Sequence, residues 1–298
     1  MYFEVDNLDI VITRNCQLAC KGCLVFSDHR EVKGHIDPLE WKNTIRWWGT
    51  KIKPKTIHLF GGEPLMNPWL EDWVMLTKMS FSKIMERSFS INIQTNGILL
   101  SKIGRSVLKR WIEKGNVRIS ISKHNNDPDY LDKINDATDL LKSIIDVKNT
   151  LKIDESETEY WGSKGRNFSI VDWTKRSWIP HYDGYGNDIR PGHSWSSERY
   201  IENHKNCEAK SYIQLYKGSL WKCPPIAVLK DSIEQIGVNN SDWNSWFDYF
   251  SLTANSNDDT IETWLKTQSE PERICNMCFG DTRPTEEHFI KIKEIKNV

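Results

Sequence analysis

Between residues 8 and 145, runs with the two-residue period of a strand alternate with runs of helical period, and this alternation constrains the fold more than any other feature of the chain. Leu8, Ile10 and Ile12 alternate with more polar neighbours and predict a first strand. Asp37-Pro38 opens a helix, with Asp37 as N-cap, Glu40 completing a capping box, and Trp41, Ile45 and Trp48 at helical spacing up to Gly49. Ile57–Phe60 predicts a second strand that ends on Gly61-Gly62, and Asn67-Pro68 starts a helix with Leu70, Trp73, Val74 and Leu76 inward. Phe89, Ile91 and Ile93 mark a third strand, broken by Asn96-Gly97 and followed by a helix from about Ser101 to Glu113. A fourth strand at Val117, Ile119 and Ile121 leads to a helix capped by Asp127-Pro128 that carries Leu131, Ile134, Leu141 and Ile145. Four strand–helix units in succession require a parallel sheet with helical crossovers, either open and doubly wound or barrel-like.

From about Lys152 to Tyr200 the periodicity is lost. Beyond Cys207, Tyr212–Tyr216 and Ser219–Lys222 flank Lys217-Gly218 and predict a β-hairpin leading into Cys223-Pro224-Pro225. Asn239–Asp259 reads as loop with embedded aromatics, and a helix at Thr260–Gln268 precedes Cys275-Asn276-Met277-Cys278. The change near residue 200 sets an expected boundary between domains 1–200 and 201–298. The longest apolar runs, such as Ile226–Leu229, are four residues long. A membrane-spanning helix needs ~20. Met1–Glu4 shows neither a basic region nor an apolar stretch of a secretion signal, so a cytoplasmic protein without membrane association is expected. With 40 Lys and Arg against 41 Asp and Glu the formal charge is −1, which argues against a general nucleic-acid binder.

The seven cysteines fall into two groups: Cys16, Cys20 and Cys23, then none for 183 residues, then Cys207, Cys223, Cys275 and Cys278. An odd count without a secretion signal fits a disulfide framework poorly. Three thiolates on one loop can converge on a metal. Structural zinc wants four ligands, and His29 is the nearest candidate for a fourth; a [4Fe–4S] cluster is normally held by four thiolates, so three leave one iron open. Scattered thiols are the plain alternative.

Cys16-x3-Cys20-x2-Cys23 resembles the CxxxCxxC signature of the radical S-adenosylmethionine (SAM) enzymes, and Gly61-Gly62-Glu63-Pro64 resembles their GGEP motif. The resemblance implies that the three cysteines bind a [4Fe–4S] cluster whose open iron is chelated by SAM, and that Gly61–Pro64 hold the SAM amino group. It further implies contacts to SAM from Thr95 and Asn96, at the end of the third strand, and from Ser120 and Ser122 on the fourth. One position departs from the pattern: the residue before the last cysteine is usually aromatic, and here it is Gly22. The implied fold is α/β, a partial (β/α)6 TIM-like barrel. The implied chemistry is reductive cleavage of SAM to a 5′-deoxyadenosyl radical that abstracts hydrogen, fed by a flavodoxin- or ferredoxin-type electron donor. All these groups fall at C-terminal ends of consecutive parallel strands, where barrel-like folds assemble their sites.

Cys207, Cys223, Cys275 and Cys278 suit a second metal site, zinc or iron–sulfur. In this context their order resembles the twitch extension, a shortened SPASM domain of α+β character that binds one auxiliary [4Fe–4S] cluster. Related dehydrogenases pass the substrate radical's electron to such a cluster. Related epimerases return hydrogen from a cysteine, and no spare thiol is left for that here. Residues 154–200 offer Trp161, Trp173, Trp178, Tyr182, Tyr185 and Trp195 as stacking platforms. Arg166, Arg176, His181, Asp183, Asp188, Arg190 and His193 are polar partners, a mixture suited to a sugar, aminocyclitol or nucleoside. Each aromatic can equally pack a domain junction. His181 and Arg190 are the expected proton-handling residues for oxidation of an alcohol. The expected function is a radical SAM oxidoreductase acting on a small polar metabolite. The alternatives are a peptide maturase, an epimerase, a nucleotide-modifying enzyme, and an iron–sulfur carrier or zinc protein. Only 15 residues precede Cys16, too few for the N-terminal recognition domain that peptide maturases often carry.

Overall fold

The computed structural model describes residues 2–82, 90–114, 116–145, 152–153, 158–162, 167–175, 178–282 and 290–292. The first half builds β1 (Phe3–Thr13), β2 (Leu18–Cys20), α1 (Pro38–Trp48), β3 (Ile52–Gly61), α2 (Leu70–Phe81), β4 (Ser90–Thr95), α3 (Arg105–Lys114), β5 (Val117–Lys123) and α4 (Pro128–Ile144). The caps expected at Asp37 and Asp127 form, though Asp37 does not bond the Glu40 N–H of a capping box, and α2 starts at Leu70 behind Trp69 without a side-chain cap. Asp37 accepts from the Leu39 N–H, and Asp127 from the Asp129 and Tyr130 N–H groups. The helix expected from Ser101 begins at Arg105, because Leu100–Lys102 form a separate 3-10 turn. Phe89 lies outside the described residues.

The stretch after residue 152, aperiodic in the sequence, contains β6 (Lys152–Ile153), β7 (Thr158–Trp161) and β8 (Phe168–Asp172). The C-terminal third adds α5 (Tyr200–Asn206), β9 (Tyr212–Tyr216), β10 (Ser219–Trp221), α6 (Pro224–Ile236), α7 (Asn244–Phe247), α8 (Asp258–Gln268) and β11 (Ile290–Ile292). Nine strands form one sheet in the order β10-β9-β1-β3-β4-β5-β8-β7-β6. Six of them, β9, β1, β3, β4, β5 and β8, are parallel.

From β1 to β8 the spatial order follows the chain order without reversal. Right-handed crossovers then place α1 to α4 on the same face. The arrangement is singly wound, as in barrel-like sheets, and not doubly wound. That covered face carries Leu8, Ile10, Ile12, Ile57, Leu59, Ile91, Ile93, Ile119 and Ile121, all almost fully buried. Each such side chain contributes ~1.5–3 kcal/mol relative to exposure.

The opposite face is polar. Gln214 Nε2 donates to Asp9 Oδ2 (2.9 Å), Gln94 lies 2.6 Å from His58 Nδ1, and Ser120 donates to Asn92 (3.0 Å) while meeting Ser169 (2.9 Å).

The predicted hairpin forms as β9–β10, with Lys217 at φ 46° and Gly218 at φ 76°, the pair of positive angles a two-residue turn needs. Its inner strand does more than the sequence indicates: β9 pairs in parallel with β1, so residues beyond 200 extend the same sheet. The Trp48 indole donates to the Gly218 carbonyl at 2.9 Å and pins the turn to α1.

Candidate metal centres

The loop after β1 carries Cys16, Cys20 and Cys23, all half-buried and none in a disulfide. Buried Arg14 spans its base: Nε donates to the Val25 carbonyl (3.2 Å), Nη2 donates to Ser232 of α6, and the Arg14 carbonyl accepts from Ser27 Oγ. Buried Asp28 closes the loop from inside, accepting from the Gly22 N–H (3.2 Å), the Tyr182 hydroxyl and His29 Nδ1. His29 Nε2 accepts from the Gly186 N–H at 3.1 Å. With both ring nitrogens engaged, His29 does not complete a zinc finger. Within the loop, Cys16 Sγ accepts from the Leu18 N–H (3.4 Å) and the Asn96 side-chain amide (3.8 Å).

Gly61–Pro64 lie beside this loop at the end of β3. A Cβ on Gly61 would come within 2.1 Å of the Thr13 carbonyl oxygen, and one on Gly62 within 2.2 Å of that of Asn15. The glycines therefore let β3 pass the protein's own backbone just upstream of Cys16. The Gly62 and Glu63 N–H groups donate to those same two carbonyls, at 2.9 and 2.6 Å. Glu63 is fully buried and caps a 3-10 turn that starts at Pro64. It accepts from the Leu65 N–H (2.9 Å), the Thr95 hydroxyl (2.7 Å) and the Asn96 N–H (2.7 Å). Burial pushes its carboxyl up to about 7 in spite of these three donors. Glu63 thus ties the ends of β3 and β4 together and, through Asn96, reaches Cys16. Ser120 is committed to the polar face of the sheet, and the Ser122 carbonyl accepts from the Tyr130 hydroxyl at 3.0 Å.

The second group comes from three places. Cys207 ends α5, Cys223 is the N-cap residue of α6, and Cys275 and Cys278 belong to a 3-10 turn and its exit. All four are free thiols. Burial raises each thiol; neighbouring cysteines add to the rise at Cys223, Cys275 and Cys278, while the Lys222 charge opposes it at Cys207, Cys223 and Cys275. Among the described residues, no three His, Cys, Asp or Glu side chains are arranged to hold one metal ion.

Two buried residues that no sequence pattern singles out shape this site. The Lys222 ammonium reaches the carbonyls of Gln268 (2.5 Å) and Glu270 (2.6 Å) and the Glu272 carboxylate (2.6 Å). Asn203 donates to the carbonyls of Cys275 (3.1 Å) and Cys278 (2.9 Å). Lys222 immediately precedes Cys223 and Asn203 stands one helical turn before Cys207, and that placement is the one clue the sequence holds.

Residues 178–195 form a strap that touches both cysteine groups. Tyr182 stacks on Phe26 at 4.5 Å and Tyr185 on His29 at 4.5 Å; a Cβ on Gly22 would meet the Trp178 ring at 3.0 Å. At the other end Gly192 and His193 donate to the carbonyls of Met277 (2.8 Å) and Asn276 (3.0 Å), and Trp195 packs edge-on against Trp246. These aromatics pack the junction. His181 Nδ1 lies 3.4 Å from Cys278 Sγ. Arg190 is elsewhere: it pairs with Asp183 (3.2 Å) and lines a polar surface hollow of about 490 Å³ with Asn187, Asp188, Asn240 and Asp242. Trp161 stacks on Phe168, away from the strap. Arg166 and Arg176 lie outside the described residues.

Among solved structures, the chain is similar to BtrN in complex with AdoMet and 2-DOIA. That match covers 97% of this chain and 98% of BtrN, at 15% identity and a TM-score of 0.51. Native anSMEcpe with bound AdoMet and the Cp18Cys peptide aligns with 46% of this chain and 40% of its own, at 16% identity and a TM-score of 0.35. No curated protein matches the chain. Residues 10–168 match the family profile of the Radical SAM superfamily, which spans β1 to the start of β8 and both motif regions. The match takes in more than half of the chain, and the chain belongs to the radical SAM superfamily.

Proposed function

We propose that this protein is a radical SAM oxidoreductase that withdraws two electrons from a small polar substrate of the sugar, aminocyclitol or nucleoside class. Cys16, Cys20 and Cys23 hold a [4Fe–4S] cluster with one iron left for SAM, and Cys207, Cys223, Cys275 and Cys278 hold an auxiliary [4Fe–4S] cluster. When bound, the first cluster and SAM supply one-electron cleavage of the sulfonium and removal of a hydrogen atom from substrate carbon. Oxidation of an alcohol to a ketone then leaves one proton and one electron to be accepted.

The observation that carries this reading is the strap, which contacts the residue before Cys23 and the residues on both sides of Cys278. It puts the two cysteine groups on either side of one segment. A single zinc held by the same four thiolates is the competing reading of the second site. Gly61–Glu63, Thr95 and Asn96 orient SAM from the ends of β3 and β4, while residues 201–298 form the auxiliary module and lend β9 to the sheet. The 2-DOIA bound to BtrN makes aminated polyols the first substrates to try. A flavodoxin- or ferredoxin-type donor supplies the initiating electron.

Anaerobic reconstitution tests the proposal: two four-iron clusters give about eight iron per chain, and SAM with dithionite yields deoxyadenosine. Four iron with one zinc removes the auxiliary cluster and the oxidation with it. Replacing Cys16, Cys20 and Cys23 by Ala abolishes deoxyadenosine formation; unchanged cleavage refutes the first site.

A further inference from the structure

His181 stands at an unexpected place for a proton acceptor. Its Nδ1 is 3.4 Å from Cys278 Sγ, and the backbone on both sides of that cysteine is fastened to the strap. The Phe279 N–H donates to the Pro180 carbonyl at 3.1 Å, and the Gly192 N–H donates to the Met277 carbonyl at 2.8 Å. Asn203 holds the Cys278 carbonyl itself at 2.9 Å. The strap backbone is thus tied to both neighbours of Cys278, once at Pro180 immediately before His181 and once at Gly192. An iron-bound sulfur carries no proton, so the His181 contact can persist in the loaded protein only with the ring nitrogen as donor.

We propose that His181 is a positioning residue of the auxiliary cluster, donating its Nδ1–H to Cys278 and raising the cluster's reduction potential. This rests on the auxiliary-cluster reading above. A hydrogen bond to a cluster sulfur favours the reduced, more negative state, and such donors are among the protein's means of setting a potential. The donor comes from the strap and not from the cysteine turn, so the segment that covers the first cluster loop also sets the acceptor strength of the second site. The assignment removes His181 from the role of substrate base.

The test is an EPR-monitored redox titration of the reconstituted holoenzyme, comparing wild type with H181F, H181L and H181N. H181F and H181L are expected to retain about eight iron and to shift one midpoint potential to more negative values while the other stays in place. H181N, which keeps an N–H near the Nδ1 position, stays close to wild type. Unmoved potentials in H181F and H181L, or an equal shift of both clusters, overturn the proposal. Should both apolar variants lose the second cluster, retention by H181N supports the donor, and loss in H181N as well overturns it. A wild-type count of about four iron instead shows that the auxiliary-cluster reading has failed, and this inference with it.

Discussion

Pro180 accepts a backbone hydrogen bond from Phe279 at 3.1 Å, while its Cα lies 3.7 Å from where a Cβ on Gly22 would stand. Gly22 precedes Cys23 and Phe279 follows Cys278, so a single proline separates the two cysteine groups by one layer of backbone. The two groups therefore share a wall, and the shape of that wall depends on Gly22 having no side chain.

Installing the aromatic residue common in the family at this position should fail here. Gly22 has φ +65°, which costs a residue with a Cβ ~1–2 kcal/mol, and its Cβ would press the Trp178 ring at 3.0 Å. Gly22→Phe is expected to lower the thermal midpoint by several degrees. Combining it with Trp178→Ala should recover the packing part and leave the backbone part. A double-mutant coupling energy near zero would show that Trp178 does not occupy this space.

Asp9 sets a pH dependence on the polar face of the sheet. Burial raises its carboxyl from 3.8 to about 7, opposed by the Gln214 amide; His58, 3.7 Å from its other oxygen, is lowered to about 4 and brings no positive charge at neutral pH. Tyr212 also faces it. Below pH 4 both folded and unfolded forms hold the Asp9 proton. Between pH 4 and 7 the unfolded chain gives it up first, so Asp9's own contribution to stability falls as pH rises, against the opposite trend of the lowered His58, and above 7 the penalty is complete. Asp9→Asn should match wild type near pH 4 and exceed it by roughly 2–4 kcal/mol at pH 8. Urea denaturation across this range checks it; a constant difference between the two proteins would exclude Asp9 as the source.

Much of this arrangement is legible in the residues themselves. Leu8, Ile10 and Ile12 alternate because one face of β1 lies under helices, and Asp37 and Asp127 stand where two helices start. What escapes is decided by tertiary contact. β8 is five residues long, and its alternation at Phe168, Ile170 and Ser169 is lost among aromatics. Pro224-Pro225 resembles a chain break, yet both prolines occupy the first turn of α6, where no N–H is needed. β9 shows itself as half of a hairpin, but its parallel pairing with β1 joins residues some two hundred positions apart. Gly61 and Gly62 stand out as special, although the surface they approach is the Thr13–Asn15 backbone. The cysteine groups are read directly; the strap between them is not, because Tyr182, His181 and His193 find their partners only in the folded chain.

Lys222 provides the sharpest separation between the two cysteine groups. Its side chain is 4% exposed, and the ammonium meets the Gln268 and Glu270 carbonyls and the Glu272 carboxylate, all at the end of α8 on the approach to Cys275. Lys222→Met keeps the bulk and removes the charge, leaving Glu272 and two carbonyls without their donor. Glu272 is one-third exposed and can be hydrated, so the loss falls mainly on the buried carbonyls and costs ~1–3 kcal/mol, which should appear as a lower denaturation midpoint with an unchanged m-value. Because these carbonyls fix the segment leading to Cys275, the reconstituted variant is expected to lose iron from the second site. The first keeps its full complement, since Cys16, Cys20 and Cys23 take their support from Arg14, Asn96 and Asp28. Equal loss from both sites would mean that the strap transmits disorder across Pro180, and independent support of the two groups would then be wrong.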